Sequence, residues 1–102
     1  MKARACTVYL PHLNYTVVFR PFKKPPRKIE NAKAWTRRDS SYKSTVYFSK
    51  SETPSQLAHE IVHVLHFICC DRHMQFEQEF EHMAYMMQYL MGRVLGYSWA
   101  TE

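Results

Sequence analysis

The chain is expected to form one α+β domain in which a small antiparallel sheet packs on a helix and a second helix lies beside it. Three observations lead there. Segments rich in β-branched and aromatic residues fall within residues 1–49, and the two stretches with helical spacing of apolar residues fall after residue 53. A chain of 102 residues buries about 65% of its unfolded surface, which suffices for one core. No internal repeat divides it, so residues 1–102 are read as a single domain with a basic strand-and-loop half, 1–43, and a helical half, 44–102.

Taken in order, residues 7–10 and 14–20 have the composition of strands, separated by Pro11 and His12. Residues 21–28, PFKKPPRK, are Pro-rich and cationic and read as an extended, exposed loop. Residues 34–38 form a short strand, and after the polar Asp39-Ser40-Ser41 turn residues 44–49 form another. Thr53, Pro54 and Gln56 then read as an N-cap, a first-turn proline and a capping-box partner, so a helix begins there and continues to Cys70. Leu57, Ile61, Val64 and Ile68 make its apolar face, extended by Ala58, Val62, Leu65 and Cys69. A second helix is expected over residues 75–96, with Phe76, Phe80, Met83, Met87, Leu90 and Val94 as its core stripe and Gly92 and Gly96 marking its end.

The side of the first helix left over carries His59, Glu60 and His63, a His-Glu-x-x-His pattern. Residues four apart lie one above the other on a helix, so two imidazoles can grip one metal ion at about 2.0–2.1 Å per bond. Glu60, about 100° around the helix from His59, can hold a water beside that ion without ligating it. Composition alone predicts about 0.02 occurrences of the pattern in such a chain, so chance is a poor explanation. The plain alternative is a buried helix whose histidines are satisfied by hydrogen bonds. His66 lies near the same stripe and is read as a neighbour of the pair rather than a ligand.

Two histidines leave tetrahedral zinc short of a protein ligand. A third histidine in the same stretch would need Gly at 66 and His at 69, where this chain has His66 and Cys69. The alternative is a glutamate from the following helix, which offers Glu77, Glu79 and Glu81. With Phe76 as origin, Glu77 and Glu81 fall at about 100° and 140° and Glu79 near about 300°. Glu79 is thereby the solvent-facing candidate, and the spacing leaves Glu77 and Glu81 both open.

His59-Glu60-Ile61-Val62-His63 followed by Glu81-His82-Met83-Ala84-Tyr85 resembles the gluzincin pattern, in which the ligand glutamate stands three residues before a small alanine that lets two helices approach. The chain is most similar to the small single-domain forms, the minigluzincins and short phage-encoded proteins with a like Glu-x-x-Ala-Tyr segment, over about residues 44–97. The resemblance implies a zincin-like fold, zinc held by His59, His63 and Glu81, and peptide-bond hydrolysis with Glu60 handling the proton. It implies a donor for the developing oxyanion, with Tyr85, one turn after Glu81, placed ahead of His82 and His73. It also implies that the strand at 44–49 is offered to an extended peptide substrate. Two departures stand: Glu81 is not preceded by Asn, and no further domain walls the cleft.

Charge is unevenly spread. Residues 1–43 carry 11 lysines and arginines against 2 acids, a net +9, and residues 44–102 carry 3 against 7, a net −4. The segment from Arg20 to Lys43, with Trp35 and Tyr42 interleaved, supports a second reading in which the chain binds nucleic acid and any zinc is structural or vestigial. A third makes it a phage or host regulator that binds a protein partner. The bland reading of the charge is a solvated loop. No apolar run approaches about 18 residues and no signal-peptide pattern opens the sequence, so a soluble, cytoplasmic protein with no membrane partner is expected, in the host cytoplasm if phage-encoded. The three cysteines suggest no disulfide framework, and Cys69 and Cys70 are read as buried thiols at the helix end.

Overall fold

The computed structural model describes residues 3–22, 34–49 and 54–97, and its fold is α+β. Strands β1 (Cys6–Leu10) and β2 (Tyr15–Phe22) form one hairpin, β3 (Ala34–Ser40) and β4 (Lys43–Ser49) another, followed by helices α1 (Pro54–Asp71) and α2 (Phe80–Leu95). The expected cap Thr53 and the cations Lys23, Lys24, Arg27, Lys28 and Lys33 lie outside the described residues.

The sheet has the order β1-β2-β4-β3 and is mixed, not antiparallel as expected. Both hairpins are antiparallel, but β2 and β4 run parallel, with Val18 opposite Thr45. Burial supplies the reason. On β4, Ser44, Val46 and Phe48 are fully buried, whereas β3 carries Arg37, Arg38 and Asp39 and has no buried residue. Placing the apolar strand centrally and the charged strand at the edge hides apolar surface and blunts the edge against pairing. Since β4 is the returning arm of its hairpin, it can reach the centre with β3 outside it only by lying beside β2.

Both helices cover one face of the sheet, α1 against β3 and β4, α2 against α1 and β1. Tyr15, Val17, Phe19, Val46 and Phe48 point into this core, where Leu57, Ile61, Val64 and Ile68 of α1 meet Met83, Leu90 and Val94 of α2. The main stripe of α1 is therefore as its spacing predicts, except that Val62 is 49% exposed. Cys69 is buried and Cys70 exposed, so only one of the two thiols is a core group. Among the described residues no helix is long and apolar enough to cross a membrane.

The second helix differs from expectation at its start. His73 adopts a left-handed backbone (φ 53°) and the Met74 N–H reaches the Cys69 carbonyl at 2.9 Å, closing α1 with a Schellman-type turn. Residues 75–79 then form turns, and α2 begins at Phe80. Phe76 and Phe80 stay largely exposed, and Met86 takes its place in the stripe with Met83, Leu90 and Val94. Gly92 is buried inside the helix. Gly96 ends it in a left-handed conformation, φ 78°, that favours glycine, and the end of the Arg4 side chain lies where a Cβ would stand.

Arginines tie the end of α1 to the turns of the sheet. Arg72 donates to the carbonyls of Leu13 and Asn14 at 2.8 and 2.9 Å, and Arg38 of β3 grips the Asp71 carboxylate through Nε and Nη2, the shortest contact being 2.6 Å. The Arg38 hydrogen bonds hold the Asp71 carboxyl below its ordinary range. A carboxyl depressed in the folded state stabilises above its unfolded pKa, ~3.9, and loses that contribution as pH falls through the folded value. Asp71→Asn is therefore expected to cost about 1 kcal/mol near neutral pH. Urea unfolding should show the gap to wild type closing as pH falls below the ordinary carboxylate range, ~3.9; a gap independent of pH counts against the ion pair as its source.

Candidate metal centre

The first helix brings His59 and His63 together as expected, ring centroids 5.1 Å apart and nearly edge to face (72°). Both imidazoles are exposed. Glu60, by contrast, is 8% exposed, because it sits under the terminal strand β3 rather than out in a cleft. Thr36 accounts for that position: its hydroxyl lies 2.8 Å from Glu60 Oε1 and 3.1 Å from the Glu60 carbonyl. With Oε1 engaged, the second oxygen, Oε2, lies 4.0 Å from His59 Nε2. A carboxylate with one oxygen anchored and the other near an exposed imidazole is placed to accept a proton from a water between them.

Sequence reasoning does not single out Thr36. Strand parity carries the signal: in Ala34-Trp35-Thr36-Arg37-Arg38, Thr36 faces the opposite side from Trp35 and Arg37, hence toward the helices.

The other candidates are placed elsewhere. Glu81 is exposed in the first turn of α2, Glu77 is exposed in the preceding turn, and Glu79 is the least exposed of the three, at the N-cap position with its carboxylate 3.8 Å from His82 Nδ1. His66 Nε2 faces Cys70 Sγ at 3.6 Å, one turn along α1. Among the described residues no three His, Cys, Asp or Glu side chains converge as a metal-ligating group. The donor set thus fits zinc in two of its three protein parts, His59 and His63, and Glu81 is not gathered beside them.

The oxyanion-donor candidates also point away. Tyr85, 67% exposed, and His82 line a separate cavity of about 370 Å³ with Tyr9, His12 and Tyr89, at the β1 edge of the sheet, whereas Glu60 lies under β3 at the other edge. There His82 Nε2 meets His12 Nε2 at 2.9 Å. His73 serves as the left-handed residue that ends α1. The expected role of the strand at 44–49 changes too. As β4 it is hydrogen-bonded on both sides, so among the described residues the main chain open to an added strand next to Glu60 belongs to β3.

Comparison with protein families, curated proteins and solved structures finds no match.

Proposed function

We propose that the chain is a zinc-dependent hydrolase of peptide bonds, with His59 and His63 holding the ion, Glu60 as the proton-handling carboxylate and Glu81 as the third protein ligand, which has to move beside the two imidazoles when the ion binds. The observation that carries this reading is the Thr36–Glu60 contact, which holds one carboxylate oxygen under an edge strand and leaves the other 4.0 Å from the exposed His59 imidazole. When bound, zinc supplies Lewis acidity that makes water nucleophilic near neutral pH and polarises a carbonyl. Glu60 Oε2 takes the proton of the attacking water and passes it to the leaving amine. Thr36 keeps Oε1 from turning into that role, so a single oxygen faces the reacting atoms. An extended peptide laid along β3 by main-chain hydrogen bonds passes over Glu60, which brings its carbonyls to the imidazole pair.

The test is the zinc content of the purified protein. Wild type is expected to hold about one zinc per chain, two imidazoles and one carboxylate being the usual donor set of a catalytic site. His63→Ala should lose it, and Glu81→Ala should weaken binding by more than the ~10–100-fold that residues behind the ligands cost. A wild-type protein that stays metal-free in excess zinc sinks the proposal. Unchanged affinity in Glu81→Ala removes that residue alone from the ligand set.

A further inference from the structure

The helices cover one face of the sheet, and the opposite face is built differently. Side chains alternate across a sheet, so Arg20 and Phe22 of β2, Lys43 and Tyr47 of β4, and Trp35 and Arg37 of β3 share this outer face. Its aromatic residues form a continuous row. Trp35 stacks on Tyr47 with centroids 4.6 Å apart and planes 14° from parallel, and Phe22 lies tilted against Trp35 at 5.0 Å. The Arg37 guanidinium stands over the Tyr47 ring at 5.3 Å. Next to the row, Arg20, Arg37 and Lys43 surround a depression of about 380 Å³ that Thr16 and Thr45 also line.

Among the described residues one acid belongs to the neighbourhood, Asp39, and it is already engaged by Arg37 at 2.6 Å and by the Thr45 hydroxyl at 2.6 Å. Among the described residues neither Arg20 nor Lys43 has an ion pair with a carboxylate. The face therefore presents positive charge beside half-buried aromatic rings, across the central strands β2 and β4 and the edge strand β3. An acidic protein surface would be served by the charge but not by the stacked row. A polyanion with planar groups spaced along it uses both.

We propose that the outer face of the sheet binds single-stranded nucleic acid, with phosphates in the depression between Arg20, Arg37 and Lys43 and a base stacked at the Trp35–Tyr47 row. This site is on the opposite side of the sheet from His59, Glu60 and His63, and it does not depend on zinc. Bases in a duplex are stacked on one another and cannot reach such a row, so single strands are preferred.

Fluorescence anisotropy with labelled oligo(dT) and oligo(U) of about 12 nucleotides, within the usual footprint of a single-strand-binding sheet, tests this, with a duplex of equal length as the third probe. Binding to either single strand, tighter than to the duplex, is expected at about 50 mM salt, and the tighter of the two identifies DNA or RNA as the ligand. The double variant Arg20→Gln, Lys43→Gln changes two exposed side chains; it should weaken binding about 10-fold and reduce the salt slope by about 0.7 for each lost phosphate contact. In a Trp99→Phe background, where Trp35 is the remaining tryptophan, its fluorescence should be quenched on binding. No binding at low salt, a preference for the duplex, an unaltered affinity of the double variant, or an unquenched Trp35 would each overturn the proposal.

Discussion

Glu60→Gln is expected to keep zinc binding intact and to lower peptide hydrolysis by about 10²–10⁴-fold, the usual contribution of a positioned general base. The substitution preserves shape. The amide oxygen of the introduced side chain can still accept from the Thr36 hydroxyl, which in the wild type reaches Glu60 Oε1 at 2.8 Å, so the side chain stays under β3. What is lost is the basicity of the oxygen facing His59, because an amide cannot take a proton from water. Neither imidazole is touched, and metal content should match wild type. Cleavage of a quenched fluorescent casein, followed beside zinc analysis of the same sample, separates the two effects. A variant that loses zinc together with activity would make Glu60 a ligand or a structural residue and remove its proposed role in proton transfer.

Glu60 belongs to a segment whose sequence is unusually informative. His59, Glu60 and His63 can be placed together because four-residue spacing is geometry internal to one helix, and Leu57, Ile61, Val64 and Ile68 fix which side of it is core. The strands are legible for a similar local reason: residues 15–19 and 44–48 alternate between the two faces, and each pattern holds whatever lies beside it. What cannot be read is every relation between elements. Whether β4 lies inside or outside its own hairpin depends on the burial of both partners, and nothing within residues 43–49 reports the parallel pairing with β2. Thr36 falls in the same gap, since its importance comes from a contact with a residue 24 positions away.

The second helix shows how a small local event displaces a whole pattern. A helix continuing from residue 75 would carry Phe76 and Phe80 on its apolar side. The left-handed turn at His73 and the turns that follow delay the start to Phe80, and both rings stay in solvent. The positions of Glu77, Glu79 and Glu81 worked out from Phe76 are tied to that longer helix. With the start moved, Glu79 becomes the N-cap residue near His82 and Glu81 stands in the first turn. Glutamate there is favourable to the helix dipole whether or not it also serves a metal, which is why its presence in the sequence does not by itself identify a ligand.

Within the His-Glu-x-x-His segment, Ile61→Ala should destabilise the fold by about 2–5 kcal/mol, while Val62→Ala, one residue on, should change stability by less than about 0.5 kcal/mol. Ile61 is fully buried between the sheet and α2, so truncation leaves a cavity that the surrounding strands cannot close. Val62 is 49% exposed and its methyl groups already meet water. For a domain whose total stability is about 5–15 kcal/mol, the first loss is a large fraction and the second is small. Urea unfolding with a chelator present measures this without the added stability that a bound ion confers. The Ile61→Ala midpoint should fall steeply at unchanged slope. Equal losses at the two positions would mean that α1 is rotated about its axis from the orientation described, and with it the alignment of Glu60 under Thr36.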